Sequence, residues 1–220
     1  MPPGSIFTTR ERAAHRHQVA LLADRAWLAL AALAEAGPDN VVAEQLLAAA
    51  PTVQHLSLRN QVTLLVQAGE QRLLLRDVDT EAGWARRGRI PRQRGLRVVR
   101  PHDGSGRAGG RRAFRVSYRW EFAQTDPVVN GAPPQTTPDA AGDPAEFAEN
   151  LIDQLGERGY RVTPGAATAV DHEAQRITIA DSTWHADPAA AVRLLIPALA
   201  HALVTGAAPA LSVAGDRRAG

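Results

Sequence analysis

The hydrophobic residues in the first part of the chain recur at helical spacing. Over residues 10–36, apolar side chains return every three or four positions, and a Gly-Pro dipeptide follows as a stop signal. A second helix is expected at 39–50 and should end at Pro51, because proline lacks the N–H that continues a helix. Ser57 can cap a third helix, which Gly69 would close. The chain is therefore predicted to begin with three helices.

The pattern changes to a period of two in the middle of the chain. Residues 113–122, "AFRVSYRWEF", place aromatic and apolar side chains on one face and Arg, Ser and Glu on the other. With 95–101 they predict an antiparallel hairpin around a Gly- and Arg-rich loop. A further strand is expected at 72–78, and Thr80 can cap a short helix after it. The aromatic face is interpreted first as a side turned toward the core of the protein, with an exposed platform for stacking as the alternative.

A segment rich in Pro, Gly, Thr and Ala at 126–143 is the predicted linker to the C-terminal part. Beyond it the pattern predicts a helix at 144–158, strands at 160–163 and 175–180, and a final helix that contains "IPALAHALVTG" (196–206). The predicted fold class is α+β, with helices packed on a small antiparallel sheet and a small C-terminal α+β unit. The predicted first domain, linker and second domain are residues 1–125, 126–143 and 144–220.

Composition places the chain among ordinary soluble globular proteins, with 45% hydrophobic and 22% charged residues. The absence of cysteine excludes disulfides, thiolate metal sites and thiol catalysis. No apolar run approaches the roughly 18–20 residues of a membrane span, and the N-terminus lacks the apolar segment of a secretory signal. We therefore expect a cytoplasmic protein without membrane contact.

Charge is distributed unevenly along the chain. Residues 84–125 contain twelve Arg and two acidic residues, a net charge of +10, whereas 1–83 carry −2 and 126–220 carry −6. All 25 basic residues are arginine. This segregation suggests a polyanionic partner, although solvated loops also collect arginine.

The segment "WARRGRIPRQRGLRVVR" (84–100) offers seven guanidinium groups, each able to bind phosphate oxygens through paired N–H groups. Half of the ten aromatic residues lie in the same basic region. Single-stranded nucleic acids are bound by stacking bases on aromatic rings beside a basic groove. Trp84 is the candidate for stacking on a base. The candidate phosphate ligands are Arg86, Arg87, Arg89, Arg92, Arg94, Arg97, Arg115 and Arg119.

Two segments that could carry enzyme chemistry are incomplete. "GSGRAGG" (104–110) matches neither the dinucleotide fingerprint nor the P-loop. In "IPALAHALVTG", His201 corresponds to the second histidine of an HExxH zinc helix, but Pro197 and Ala198 occupy the positions of the first histidine and the glutamate. Catalytic zinc needs three protein ligands, and its bound water needs a base. We therefore predict no catalytic residue, no metal ligand and no cofactor.

Three segments together resemble the N-terminal domain of the antirestriction protein ArdC and its relatives: "SLRNQVTLL" (57–65), "GWARRGRIPRQRGLRVVRP" (83–101) and "RVSYRWEFAQTD" (115–126). The resemblance implies single-stranded DNA binding on mobile elements and protection of that DNA from restriction, and it adds Asn60 to the expected contacts. Such relatives often continue into a zincin-like metallopeptidase domain. "LAHAL" (199–203) looks like a degenerate remnant of its metal-binding helix.

The leading hypothesis is therefore a non-enzymatic protein that binds single-stranded DNA, or another nucleic acid, through the arginine-rich hairpin region. One alternative is a regulatory protein that binds an acidic protein partner through the same surface. The other is a residual zinc metallopeptidase.

Overall fold

A computed structural model describes residues 9–37, 40–101, 114–128 and 143–206 of the chain. The Gly- and Arg-rich loop, most of the predicted linker and the residues after the last helix lie outside the described residues. The α+β fold class is confirmed, since helices and three small sheets make up the described chain.

The described residues contain seven α-helices, and the three helices predicted at the start are among them. Helix α2 continues through Pro51, so the prediction that it ends there was wrong; a proline so near the end of a helix removes only one backbone hydrogen bond. Helix α3 continues past Gly69 and is closed by Arg72, whose φ of 55° is left-handed. The helices are α1 (Thr9–Glu35), α2 (Val41–Val53), α3 (Leu58–Gln71), α4 (Glu81–Arg86), α5 (Pro144–Gly156), α6 (Asp181–Ala186) and α7 (Pro188–Gly206).

Eight strands form three sheets in the described chain, with strand orders β1-β4-β3, β2-β5 and β6-β8-β7. The predicted hairpin is the antiparallel pair β3–β4, whereas β6 and β8 are parallel. The strand expected at 72–78 was mostly wrong, because only the short β1 pairs with the end of β4. The strands are β1 (Val78–Asp79), β2 (Arg89–Pro91), β3 (Leu96–Pro101), β4 (Phe114–Glu121), β5 (Thr125–Pro127), β6 (Arg161–Gly165), β7 (Ala169–Asp171) and β8 (Arg176–Ala180).

One hydrophobic cluster contains residues from both sides of the predicted linker. Helices α1, α2 and α3 pack there with α5, α7 and the strands β6 and β8. Hydrogen bonds cross the same boundary: Asn150 Nδ2 donates to the Gln54 carbonyl at 2.7 Å, and the Leu58 N–H donates to Gln154 Oε1 at 2.9 Å. The division into two domains stays a prediction, but the two segments share a core. A second cluster joins α2 and α3 to β1 and β3.

Helix α7 lies at the centre of the larger cluster and is also the most apolar long helix described. An 18-residue window of this 19-residue helix has a mean hydropathy of 1.6, so the helix is long and apolar enough to cross a membrane. The expectation that no segment approaches this length was therefore wrong. Of the residues in that window 44% are buried, and the helix contacts α1 and α5. Its apolar character is thus weak evidence about membranes.

Candidate nucleic-acid interface

Strand β4 turns its charged face inward. Leu96 and Val98 of β3 are fully buried against α3, and the antiparallel register places Arg119 and Ser117 directly opposite them. Residues directly opposite each other share a face of the sheet. Arg119 and Glu121 are accordingly buried, at 5% and 6% exposure. The polar residues of this alternating strand therefore lie on the side that packs against the helices.

Tyr118 and Trp120 of β4 lie on the other face, which is partly open. Tyr118 is paired with Arg97 and Val116 with Val99, and all four side chains are only half-buried, as is Trp120. The rings of Tyr118 and Trp120 are neighbours, with centroids 6.1 Å apart. These residues are half-buried, whereas Arg119 and Glu121 are the buried residues of the strand, so the choice between a core face and a stacking platform stays open.

Hydrogen bonds at the end of β4 explain how Glu121 is accommodated. Its carboxylate accepts the Ala123 N–H at 2.6 Å, and its own N–H donates to Gln124 Oε1 at 3.0 Å. This reciprocal capping box starts a single 3-10 turn, Phe122–Gln124. Burial raises the pKa of Glu121, and the nearby carboxylate of Asp77 raises it further, against the lowering effect of the Ala123 N–H.

Asn60 supports the sheet. Its side-chain amide donates from Nδ2 to the Val99 carbonyl at 2.8 Å and accepts the Val99 N–H at 3.0 Å. Two turns along α3, Gln67 does the same for Arg97, with both distances 2.9 Å. Strand β3 is at the edge of its sheet, and the two amides satisfy backbone groups that the sheet leaves unpaired. Both polar atoms of the Asn60 amide are therefore bonded within the fold, and a nucleic-acid contact at Asn60 stays a prediction.

Trp84 is fully buried and has no ring surface open to a base. Its Nε1 donates to the Trp120 carbonyl at 2.8 Å, and its ring meets Phe122 edge-on at 6.0 Å. The Arg87 guanidinium lies 4.1 Å from the Trp84 ring centre and bonds to both carboxylate oxygens of Asp77. The stacking role predicted for Trp84 and the phosphate role predicted for Arg87 are thus corrected, since both side chains hold α4 against the sheet.

The guanidinium groups of Arg89 and Arg119 are also hydrogen-bonded to groups inside the protein. Arg89 donates to Thr125 Oγ1 and to the Thr125 carbonyl, both at 2.7 Å, and its guanidinium lies 3.8 Å from the centre of the Phe122 ring. Arg119 donates to the Tyr118 carbonyl at 3.2 Å from its buried position. Neither guanidinium is exposed to a phosphate strand, so these two predicted contacts are corrected as well.

The exposed arginines are fewer than the sequence predicted. Arg86, Arg92 and Arg94 are exposed, and Arg97 is half-buried. Arg92 forms a surface ion pair with Asp126. The side chain of Arg115 lies outside the described residues.

Arg94 and Arg97 converge at a cleft between α1, the end of α3 and the start of β3. Both donate to the same atom, Gln18 Oε1, at 3.1 Å and 2.8 Å. The Trp120 ring lies against Gly95, a lining residue of this cleft: its Nε1 donates to the Gln93 carbonyl at 2.9 Å, and a Cβ on Gly95 would lie 2.6 Å from the ring. Gln18 was not among the predicted residues, since it precedes the arginines by more than seventy positions and belongs to no motif.

In the C-terminal part, the fold brings His172 against His201. Their rings stack with centroids 3.6 Å apart, and His172 Nδ1 is 3.0 Å from the hydroxyl of Tyr160. Burial lowers the pKa of His172, and the neighbouring His201 lowers it further, while Asp171 raises it. Among the described residues no group of three His, Cys, Asp or Glu side chains could hold a metal ion. Pro197, which occupies the position of the first histidine of an HExxH helix, lies inside α7.

Comparison of the chain with protein-family models, curated proteins and solved structures finds no match. The ArdC-like assignment stays a prediction from the sequence.

Proposed function

We propose that the protein binds single-stranded DNA without catalysing a reaction, through a surface made of Arg94, Arg97, Tyr118 and Trp120, called here the arginine–aromatic surface. The observation that carries the proposal is the orientation of β4. Arg119 and Glu121 are turned inward, and Tyr118 and Trp120 lie half-open beside the guanidinium groups of Arg94 and Arg97.

This surface suits a single strand for a physical reason. Unpaired bases can stack on aromatic rings, and each stacked base contributes about 1–3 kcal/mol. Because Arg97 is paired directly with Tyr118, a phosphate at the guanidinium and a base at the ring can belong to adjacent parts of one strand. A duplex buries its bases in the stack and cannot use the rings. Exposed Arg86 and Arg92 are candidates for further phosphate contacts.

The biological setting of this proposal comes from the resemblance to ArdC. A protein of that kind would cover incoming single-stranded DNA of a mobile element and protect it from restriction. The proposed location is the cytoplasm, as expected from the sequence. The C-terminal part, with Pro197 and Ala198 at the metal and base positions, would then act as a scaffold.

The test is a fluorescence-anisotropy titration of labelled oligo-dT over a range of salt concentrations. Each phosphate contact to a single strand contributes about 0.7 to the slope of log affinity against log salt. The double variant Arg94→Ala/Arg97→Ala should therefore bind more weakly and lose about 1.4 from that slope. Tyr118→Leu should weaken binding and leave the slope unchanged, since it removes stacking only.

The matched control is Arg158→Ala/Arg176→Ala, which removes the same two charges from exposed positions in the C-terminal part. Equal losses in the two double variants would show nonspecific attraction and refute the proposed surface. Equal affinity for duplex and single-stranded DNA would refute the stacking argument. Stoichiometric zinc in the purified protein, lost in His201→Ala, would revive the alternative of a residual metallopeptidase.

A further inference from the structure

The cleft beside the arginine–aromatic surface is large enough for a small anion, with a volume of about 280 Å³. It is lined mainly by polar side chains from three elements that are distant in sequence. The residues that matter for its chemistry are Gln18, Arg25, Glu70, Gln71, Arg94 and Arg97.

Two cations in this cleft share one neutral acceptor. Arg94 and Arg97 each direct an Nη2 donor to Gln18 Oε1, and Gln18 itself is an exposed side chain on α1. An amide oxygen carries no net charge, so it leaves the two guanidinium charges uncompensated. A phosphate oxygen adds a charge–charge attraction to the same hydrogen bonds and can be held by paired N–H groups of a guanidinium. A phosphate oxygen at the same point would therefore be the better acceptor.

The backbone around the two arginines is held in place before any ligand arrives. The Arg97 N–H and carbonyl are bonded to the buried Gln67 amide, and the Arg94 carbonyl accepts from Gln124 Nε2 at 3.2 Å. The donors are thus carried on fixed backbone, and little of the binding energy would be lost in ordering it.

We infer that this cleft is a phosphate-binding site in which Gln18 Oε1 occupies the position of a phosphate oxygen when no ligand is bound. The inference rests on the proposed function, since it identifies the phosphate as one belonging to the strand whose bases stack on Tyr118 and Trp120. Gln18 then competes with the strand and sets its affinity.

The remaining charged pair of the cleft, Arg25 and Glu70, lowers the affinity of the site for phosphate. Arg25 forms an ion pair with Glu70 on the cleft wall, so its charge is largely compensated. The Glu70 carboxylate repels a phosphate, which keeps the affinity for free phosphate lower than the arginines alone would give.

Two substitutions at Gln18 should change the affinity for DNA in opposite directions. Gln18→Ala removes the competing acceptor and should raise the affinity for a dT oligonucleotide by roughly three- to tenfold. Gln18→Glu places a permanent carboxylate against the same two arginines and should lower the affinity at least as much. Both variants should fold, because the side chain is exposed, and circular dichroism checks this. Inorganic phosphate, titrated by calorimetry, should follow the same order of variants.

The outcomes separate this inference from the proposed function. Salt-dependent DNA binding that is unaffected by either Gln18 variant overturns the phosphate site and leaves the proposed function standing. Phosphate binding that follows the Gln18 series without any oligonucleotide binding supports the site and refutes the proposed function. Weaker binding in Gln18→Ala overturns the inference, because it would make Gln18 a ligand of the strand.

Discussion

Asn60 gives the sharpest separation between a residue that contacts nucleic acid and a residue that supports the fold. In Asn60→Ala the Val99 N–H and carbonyl lose both of their side-chain partners. A part-buried site allows some replacement by water, so the expected cost is about 1–3 kcal/mol in the free energy of unfolding. Gln67→Ala should cost more, about 2–4 kcal/mol, because Gln67 is buried and also donates to the Thr63 carbonyl.

Urea unfolding at constant pH measures both variants, and the midpoint should fall without a change in the slope m. DNA affinity is then measured at a temperature at which the variant is folded, and it should equal that of the unchanged protein. The structural role would be refuted if Asn60→Ala kept full stability and lost DNA affinity. Such a result would restore Asn60 as a direct contact, as the resemblance to ArdC implies.

Three further predictions concern two buried groups and one half-buried histidine. Trp84→Ala should destabilise the protein by about 3–5 kcal/mol, because the ring is fully buried and bonded to the Trp120 carbonyl. Thermal unfolding measures this loss of stability, and preserved stability with reduced DNA binding would contradict the prediction. Glu121 has a raised pKa in the folded protein, so its contribution to stability is present at low pH and is lost as pH rises through the folded pKa. Glu121→Gln should therefore be more stable than the unchanged protein at pH 8 but not at pH 4. The reasoning would be refuted if the variant and the unchanged protein had the same urea-unfolding midpoint at both pH values. His172 has a pKa lowered from 6.5, so its contribution to stability is present above that value and is lost as pH falls. Between pH 7.5 and pH 5, the unfolding free energy of His172→Phe should therefore decrease less than that of the unchanged protein. An equal decrease in the two proteins would mean that the stack with His201 does not control the titration.

Local patterns were sufficient to predict most of the elements. The first helix, the short helix capped by Thr80 and the β3–β4 hairpin lie where periodicity and capping residues put them. One exception is the strand expected at 72–78, of which only β1 forms. The others are ends of helices. Pro51 lies inside α2, and Arg72 and not Gly69 closes α3. In both cases a local stop signal is weaker than the packing that continues the helix.

The candidate site was predicted only in part, because the sequence shows which residues are charged and not which ones are already bonded. The basic segment was recognised from its charge, yet Arg87, Arg89 and Arg119 bond to groups within the protein. Gln18 and Gln67 carried no signal at all. Their roles arise because α1 and α3 lie against β3.

The sequence by itself determined the fold class, the order of the main elements and the concentration of positive charge in one hairpin region, since these depend on local spacing and composition. Only the tertiary structure decided which face of β4 is open. An alternating strand presents two faces, and the apolar one is normally buried. Here α3 supplies amides to the edge strand, and the chain after β4 bonds to Glu121, so the charged face can be buried with hydrogen bonds. This orientation of β4 leaves Tyr118 and Trp120 beside Arg94 and Arg97, and it cannot be predicted from the sequence of any single segment.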